Sequence, residues 1–200
     1  AFQWQTAVAL FAQMGVESLL PDVITCNAAI SSCEKGCQWE MSLNLFHAMS
    51  SHVLTPSIIS YNAAISSCEK GSCWELGLHL FSQIIDNHLT PTVISYNATL
   101  SGVGKSQEWQ RALHVFTTLE SESISPDVIS FNAMISAGEK SMEWQFALSV
   151  FNSICDARLH PTIVSYNAAI SACEKAFQWQ TAVALFAQMG VESLLPDVIT

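Results

Sequence analysis

Hydrophobic and polar residues follow each other along this chain in a pattern that returns every 35 residues. Apolar side chains recur at intervals of four and three residues, as in Tyr61, Ile65 and Cys68, and this spacing places them on one face of an α-helix. A second apolar stripe begins at Trp74 and continues through Phe81 at the same helical period. The pattern therefore predicts two short helices, and not strands, in each 35-residue repeat.

All six tryptophans and all six prolines obey the same interval, so the chain can be divided into repeats, with positions numbered from 1 to 35. A period of this length is typical of arrays in which each repeat buries its apolar face against its neighbours. We expect an all-α solenoid of stacked helical hairpins, about 11 helices, forming one array over residues 1–200. The array contains a partial repeat, 1–22, five full repeats, 23–57, 58–92, 93–127, 128–162 and 163–197, and the start of the next, 198–200.

Local signals indicate where the two helices of a repeat begin and end. A hydroxyl residue at position 3, such as Ser60, precedes a helix-favouring run and is expected to be the N-cap of the first helix. That helix should cover about ten residues, end near the lysine at position 13 and be followed by a turn at position 14. The tryptophan at position 17 starts the second helix, and the proline at position 34 should end it.

Charge and cysteine content limit the class of protein. Seven Lys and Arg against 17 Asp and Glu give a net charge of −10, which taken alone argues against a polyanionic partner. No apolar run approaches the roughly 18 residues that a membrane span requires, so we expect no membrane partner. Seven cysteines, an odd number, without a signal-peptide pattern favour a reducing compartment over a disulfide framework.

No arrangement of residues in the sequence indicates catalysis or metal binding. The cysteine at position 11 exchanges with Val103 and Gly138, which neither a metal ligand nor a nucleophile would tolerate, so this column is expected to consist of small packing residues. Cys33 and Cys37 have no matching His or Cys pair elsewhere, and the six histidines are scattered. We therefore expect no enzyme activity, no cofactor and no metal site.

The repeat resembles the pentatricopeptide repeat of the 35-residue type. Residues 93–98, followed by 113–116 and closed by Pro126, carry the resemblance, which extends over essentially the whole chain. The tetratricopeptide repeat differs, because it has 34 residues and a W-x-x-L-G-x-x-Y pattern. The resemblance implies a right-handed superhelix whose first helices line an inner groove, and single-stranded RNA bound in that groove with one nucleotide per repeat.

The resemblance also implies which residues read the bases, namely those at positions 5 and 35. Position 5 is Asn throughout, and its amide offers both a donor and an acceptor to the edge of a splayed base, although an Asn in a first helical turn can also simply cap the helix. Asn with Asp implies uracil, and Asn with Ser or Thr implies a pyrimidine with cytosine somewhat preferred, so the predicted target is 5′-Y-Y-U-Y-U-3′. The pairs are Asn27 with Ser57, Asn62 with Thr92, Asn97 with Asp127, Asn132 with Thr162, and Asn167 with Asp197.

Two further columns would contact RNA whatever its sequence. By resemblance, the aliphatic residue at position 2 wedges between bases and the lysine at position 13 approaches a phosphate, although this lysine also complements the helix dipole. Acidic residues of the second helices would lie on the outer wall and leave a locally positive inner stripe. The tryptophans should pack in the core. The wedging residues are Ile24, Ile59, Ile94, Ile129 and Val164, and the lysines are Lys35, Lys70, Lys105, Lys140 and Lys175.

The function that the pattern favours is sequence-selective binding of single-stranded RNA in organellar RNA processing, stabilisation or translation, with protein partners for RNA processing. The resemblance points to a mitochondrion or plastid, although no targeting segment is visible because Ala1 already lies inside a repeat. The alternative is a protein-interaction scaffold similar to tetratricopeptide proteins, for which the negative charge would be natural. Open apolar ends favour self-association. Residues 1–25 are identical to 176–200, which indicates a recent duplication or an artificial assembly.

Overall fold

A computed structural model describes residues 4–17 and 19–191, which form eleven helices and no strand. None of these helices combines the length and the hydrophobicity needed to cross a bilayer. The chain divides into two compact units, residues 1–102 and 103–200, and each is described by itself. The helices are α1 Trp4–Val16, α2 Val23–Lys35, α3 Trp39–Ser51, α4 Ile58–Lys70, α5 Trp74–Asp86, α6 Val93–Gly104, α7 Trp109–Ser121, α8 Val128–Lys140, α9 Trp144–Asp156, α10 Ile163–Lys175 and α11 Trp179–Val191.

The two-helix repeat predicted from the apolar spacing is confirmed. Every second helix begins at the tryptophan of position 17, and the first helices end at the lysine of position 13, except that α6 ends one residue earlier at Gly104. Most helices have 13 residues, so the first helix is longer than the ten residues predicted. The extra length lies at its beginning.

The first helices begin three residues earlier than predicted. Helix α4 starts at Ile58, and its N-cap is Ser57, whose backbone is extended with φ −92° and ψ 170°. The backbone N–H of Ser60 donates to Ser57 Oγ (3.4 Å), and the backbone N–H of Ser57 donates to Ser60 Oγ (3.0 Å). This reciprocal pair is a capping box. The prediction that position 3 is the N-cap is therefore wrong: position 35 of the preceding repeat caps the helix, and position 3 completes the box from inside. The remaining N-cap residues are Asp22, Thr92, Asp127 and Thr162.

The second helices end five residues before the proline, which corrects the prediction that proline ends them. Helix α3 stops at Ser51, and the N–H of Leu54 then donates to the carbonyl oxygen of Met49 at 2.9 Å, which closes a Schellman motif around Val53. Val53 has a left-handed φ of 57°. The same left-handed conformation recurs at position 15 and position 31 without any glycine. These residues are Cys37, Ser72, Gln107, Met142 and Phe177 at position 15, and Val53, His88, Ser123 and Arg158 at position 31.

Edge-to-face aromatic pairs join successive repeats within each unit. The phenylalanine at position 24 of a second helix meets the tyrosine or phenylalanine at position 4 of the next first helix. Such a pair adds about 0.5–1.5 kcal/mol beyond the apolar area that it buries, and it fixes how one hairpin sits on the next. The ring centroids are 5.0 Å apart for Phe46 and Tyr61, 4.9 Å for Phe81 and Tyr96, 5.3 Å for Phe116 and Phe131, and 4.9 Å for Phe151 and Tyr166.

The cysteine column at position 11 lies in the core, as predicted. Cys33, Cys68 and Cys173 are buried, and burial raises the pKa of the Cys68 thiol to about 12. Gly138 occupies the same position in another repeat, where an added Cβ would lie only 3.0 Å from the Cβ of Ala147. The column is therefore tightly packed, and its cysteines act as packing residues.

The tryptophans lie between successive repeats, where they are half-buried in most cases. The Trp39 ring covers Gly71 so closely that a Cβ at Gly71 would lie 2.5 Å from two ring atoms. Gly71 has a φ of −83°, which any residue can adopt, so glycine is needed here for space. The packing role predicted for this column fits these contacts.

Replacing Gly71 by alanine should destabilise the protein by about 1–3 kcal/mol, because the ring of Trp39 has to move from its packed position. Gly77 provides a matched control, since its Cβ would meet only the Cβ of Cys68 at an ordinary 3.5 Å inside helix α5. Gly77→Ala should raise stability by about 0.5–1 kcal/mol through helix propensity. Urea unfolding followed by circular dichroism measures both changes, and equal effects of the two substitutions would contradict the packing argument.

Candidate nucleic-acid interface

One face of each first helix carries the residues at positions 2, 5, 9 and 13. Because an α-helix turns about 100° per residue, these four positions fall within about 80° of one another. The face combines an aliphatic residue, an asparagine, a serine and a lysine in every repeat. The serines at position 9 are not among the predicted site residues, although their recurrence in all five full repeats is a signal of the same kind as the asparagines. They are Ser31, Ser66, Ser101, Ser136 and Ser171, all half-buried.

The aliphatic residues at position 2 are exposed to solvent in all five full repeats. A helix that packs against its neighbours normally turns such residues inward, and a single exposed aliphatic residue on a protein surface needs no explanation. Five exposed aliphatic residues at the same repeat position do need one, because folding buries only the smaller part of each side chain. The exposed fractions are 77% for Ile24, 62% for Ile59, 61% for Ile94, 59% for Ile129 and 60% for Val164.

The asparagines at position 5 are half-buried, and in two repeats the amide oxygen is held by the following repeat. Ser60 Oγ donates to Asn27 Oδ1 at 2.6 Å, and Asn27 Nδ2 donates to Ser57 Oγ at 3.4 Å. In the second unit, Ser165 Oγ donates to Asn132 Oδ1 at 2.7 Å. Each serine is at position 3 of the repeat that follows its asparagine.

Asn62 differs from these two residues. Its Oδ1 atom is buried and has no hydrogen-bond partner, although Ser95 occupies the place of Ser60 and Ser165. Leaving a buried acceptor unpaired costs about 1–3 kcal/mol, and nothing in this repeat holds the amide of Asn62 through its oxygen as Ser60 and Ser165 hold the other two. Asn97 and Asn167 are half-buried like the others.

The residues predicted to read bases at position 35 are also N-caps, a role that the sequence interpretation assigned to position 3. Asp127 Oδ1 accepts the backbone N–H of Ser130 at 2.9 Å, and Thr162 and Thr92 form the same kind of capping box as Ser57. Asp22 belongs to this column but is not among the predicted residues, although it precedes Ser57 by 35 residues. The N–H and the hydroxyl of Thr25 lower the pKa of Asp22. Asp197 lies outside the described residues.

Lys70 and Lys175, at position 13, contact glutamates at position 12 of the preceding repeat. Lys70 Nζ lies 2.5 Å from Glu34 Oε1, and Lys175 Nζ lies 2.7 Å from Glu139 Oε1. These two lysines are therefore already paired with carboxylates in the protein alone, which revises the expectation of a locally positive stripe. Lys35, Lys70, Lys105 and Lys140 are exposed and Lys175 is half-buried. No glutamate precedes Lys140 by one repeat, because Gly104 stands there.

A steric constraint explains why residue 104, at repeat position 12, is a glycine. A Cβ at this residue would lie 2.8 Å from the carbonyl oxygen of Ala133, so no larger residue fits between α6 and α8. Lys140 Nζ instead lies 3.5 Å from the carboxylate of its neighbour Glu139, which also binds Lys175 and Ser171. Lys140 is thus held more weakly than Lys70 or Lys175.

Glu139 is a buried carboxylate at the centre of this cluster. Burial raises its pKa, but the hydrogen bonds from Lys175 and Ser171 and the charge of Lys140 outweigh burial and hold the pKa below its ordinary value. The glutamate therefore stays ionised and links α8 to α10 within the second unit. The cluster joins repeats as well as balancing charge.

A cavity of about 500 Å³ lies elsewhere in the second unit, between α7, α8 and α9. Phe116, Phe131 and Met134 contribute to its apolar lining, and none of the residues at positions 2, 5, 9, 13 or 35 lines it. No three His, Cys, Asp or Glu side chains come together as metal ligands in the described part of the chain. The candidate site is thus an exposed helix face and not an enclosed pocket.

The chain was compared with protein-family models and with solved structures. Three models of the pentatricopeptide repeat match it: the PPR repeat family at residues 91–138, the pentatricopeptide repeat domain at 9–70, and the PPR repeat at 59–89 and 164–194. These matches cover most of the sequence, and the chain belongs to the pentatricopeptide repeat family. No curated protein matches it in sequence.

Solved pentatricopeptide repeat proteins share its fold. PPR10 in complex with an 18-nt psaJ RNA element superposes with a TM-score of 0.82 at 20% identity, over 98% of this chain and 29% of PPR10. PPR10 from maize gives a TM-score of 0.68 at 19% identity, over 98% and 28% of the two chains. The PPR domain of Arabidopsis thaliana protein-only RNase P 1, in complex with tRNA, gives 0.71 at 12% identity, over 84% and 89%. The predicted all-α solenoid fold is confirmed, and the chain spans less than a third of the length of PPR10.

Replacing Glu139 by glutamine should lower stability by about 1–2 kcal/mol at pH 7, a value reduced because Lys175 is partly exposed to solvent. The pKa of Glu139 is depressed in the folded state, so its contribution is present above the unfolded pKa and is lost as the pH falls through the folded pKa. The difference between the two proteins should therefore be constant from pH 7 to about 5 and shrink below about 4.5.

Urea unfolding of both proteins at pH values from 7 down to 3 measures this difference. Glu143→Gln is the control, since Glu143 is exposed in the same unit and its replacement should change stability by less than about 0.5 kcal/mol. A difference between wild type and Glu139→Gln that persists unchanged to pH 3 would show that the charge of Glu139 is not what stabilises the cluster.

Proposed function

We propose that this chain is a sequence-selective single-stranded RNA-binding protein that binds one nucleotide per repeat, with the pyrimidine-rich target 5′-Y-Y-U-Y-U-3′. The observation that carries the proposal is the exposure of an aliphatic residue at position 2 beside an asparagine at position 5 in every full repeat. Unstacked bases have two apolar faces and a polar edge, and RNA-binding proteins recognise both. A face of alternating aliphatic and amide groups is complementary to such bases.

Chemical complementarity supports the division of roles between these residues. An aliphatic side chain between two bases contacts any base equally well, so it contributes affinity and no selectivity. An amide and the hydroxyl or carboxylate at position 35 present a pattern of donors and acceptors, and only some base edges match that pattern. In the Asn132 and Thr162 pair, for example, both partners are polar and both lie at the start of first helices α8 and α10.

The relatives support RNA as the partner. PPR10 was solved with an RNA element and the PPR domain of protein-only RNase P 1 with tRNA. This chain belongs to the same pentatricopeptide repeat family. We propose that the chain protects, remodels or presents bound RNA and does not cleave it, since its recurring polar residues serve recognition. A role in organellar RNA processing, stabilisation or translation, in a mitochondrion or plastid and with protein partners, is part of this proposal.

The pairing of lysines with glutamates bears on how RNA would be held. Lys70 and Lys175 are already bound to carboxylates, so a phosphate must compete for them, whereas Lys140 is more accessible to one. Phosphate contacts give affinity that decreases with salt and carries no sequence information. A chain with few free cations should therefore depend more on its base contacts and less on ionic strength than a strongly basic RNA-binding protein.

Binding of fluorescent RNAs tests the proposal. RNA containing 5′-CCUCU-3′ should bind at least about tenfold more tightly than a purine-rich RNA of equal length, and the matching duplex should bind least. Simultaneous replacement of Asn62, Asn97 and Asn132 by alanine should remove most of this preference, because each good base contact contributes about 1–3 kcal/mol. Thermal melting of the triple variant shows whether it folds. Equal binding of all three RNAs by the wild-type protein would refute the proposed function.

Substituting Ile59 and Ile129 by serine should weaken binding of every RNA sequence by a similar factor, about 3- to 30-fold, because each side chain would lose its burial between bases. The control is Ile85→Ser, which alters an isoleucine that is 50% exposed but lies on second helix α5. All three residues are exposed, so these variants should fold normally. If Ile85→Ser weakens binding as much as Ile59→Ser, position 2 has no special role.

A further inference from the structure

We propose that the serine at position 3 of the following repeat orients the base-reading asparagine where the two are hydrogen-bonded, and that Ser165 thereby fixes Asn132 with its N–H groups, and not its oxygen, directed to the base. The inference rests on the proposed function and assigns a role to a residue that lies outside positions 2, 5, 13 and 35. It follows from which groups donate and which accept in the hydrogen bonds between adjacent repeats. Ser60 and Asn27 form the same arrangement in the first unit.

Ser165 has one hydroxyl proton, and the surrounding hydrogen bonds determine which atom accepts it. The backbone N–H of Thr162 donates to Ser165 Oγ at 3.0 Å, so a lone pair of the hydroxyl is used there. Ser165 Oγ also lies 2.7 Å from Asn132 Oδ1 and 3.2 Å from Thr162 Oγ1. An amide oxygen cannot donate, so the proton of Ser165 goes to Asn132, and Thr162 must be the donor in its bond with Ser165.

Ser60 repeats this logic in the first unit. The N–H of Ser57 donates to Ser60 Oγ at 3.0 Å, and Ser60 donates to Asn27 Oδ1 at 2.6 Å. Asn27 Nδ2 in turn donates one proton to Ser57 Oγ at 3.4 Å, which leaves its second N–H proton unused. Ser60 and Ser165 are both completely buried, so water does not compete for the hydroxyl protons.

Holding the amide oxygen changes which base edges can pair with the asparagine. An asparagine that is free to rotate about its last bond offers either a donor or an acceptor, and so it tolerates bases of both kinds. An asparagine whose oxygen is held offers N–H donors alone, so the base must present an acceptor at that place, as cytosine does with N3 or O2. The serine therefore converts a permissive amide into a selective one.

The chain contains a natural control for this role. Asn62, Thr92 and Ser95 repeat the residue types of Asn132, Thr162 and Ser165, and Ser95 forms the same capping box with Thr92. Asn62 Oδ1, however, has no hydrogen-bond partner. Removal of either serine hydroxyl should therefore weaken one helix cap equally, whereas only removal of the Ser165 hydroxyl releases an asparagine.

The experiment measures base selectivity at one nucleotide at a time. RNAs carrying 5′-CCUCU-3′ are prepared with each of the four bases at nucleotide 4, which faces Asn132, or at nucleotide 2, which faces Asn62. Ser165→Ala should reduce the ratio between the best and worst base at nucleotide 4 by roughly tenfold. Ser95→Ala should leave the ratio at nucleotide 2 within about twofold of wild type. Ser165→Thr restores the hydroxyl, as at Thr25 in the same register, and should keep the selectivity.

The outcomes separate this inference from the proposed function. Loss of selectivity in Ser165→Ala but not in Ser95→Ala supports it, and unchanged selectivity in Ser165→Ala, or equal losses in both variants, overturns it. A wild-type protein that binds all bases equally at nucleotide 4 refutes the proposed function instead. Without RNA, the side-chain amide signals of Asn132 in a ¹⁵N spectrum should shift in Ser165→Ala, while those of Asn62 stay unchanged in Ser95→Ala. Unshifted Asn132 signals would also overturn the inference.

Discussion

The hydrogen bond between the backbone N–H of position 3 and the side chain before the helix is the interaction on which each repeat depends. It starts the first helix, and it fixes the residue at position 35 relative to the serine that follows it, as in Ser57 and Ser60. Since that serine also holds the asparagine of the preceding repeat in Asn27 and Asn132, helix capping, contact between repeats and the candidate reading site share the same few atoms. Position 35 therefore needs a side chain that can cap a helix, and the Ser, Thr and Asp found there are all good N-caps.

The charge distribution is explained by the same contacts between neighbours. A net charge of −10 is unfavourable for binding a polyanion when taken over the whole chain, but charges interact mainly with near neighbours, since they are screened within about 8–10 Å at physiological salt. The glutamate at position 12 places a carboxylate beside the next lysine, as Glu34 does for Lys70, so neighbouring first helices attract each other at their C-terminal ends. This arrangement stabilises the stack and lowers nonspecific attraction for phosphates, which in the proposed binding mode leaves base contacts as the main source of affinity.

The sequence predicts the repeat, the helix types and the residue columns well, because the 35-residue period repeats each signal several times. Helix ends are predicted less well. A hydroxyl at position 3 looks like an N-cap, and only the extended backbone at Ser57 shows that the cap lies three residues earlier. The second helices stop before proline because Val53 and its counterparts adopt left-handed conformations, for which β-branched or charged residues give no signal. The Lys70 and Glu34 pair joins residues 36 apart, so periodicity within one helix does not reveal it.

Exposed aliphatic residues at position 2 show why affinity and selectivity can be separated in such a chain. Moving an isoleucine from water to a position between bases is worth at most about 1.5–3 kcal/mol, and this gain is the same for every base because each base has an apolar face. Ile59 and Ile129 can therefore supply affinity without distinguishing sequences. In the proposed binding mode the asparagine beside each accounts for discrimination, and an amide discriminates most sharply when its orientation is fixed, since a freely rotating amide can present either its donor or its acceptor. In the proposed binding mode, selectivity at the Asn132 repeat thus depends on the buried hydroxyl of Ser165 as much as on the asparagine itself.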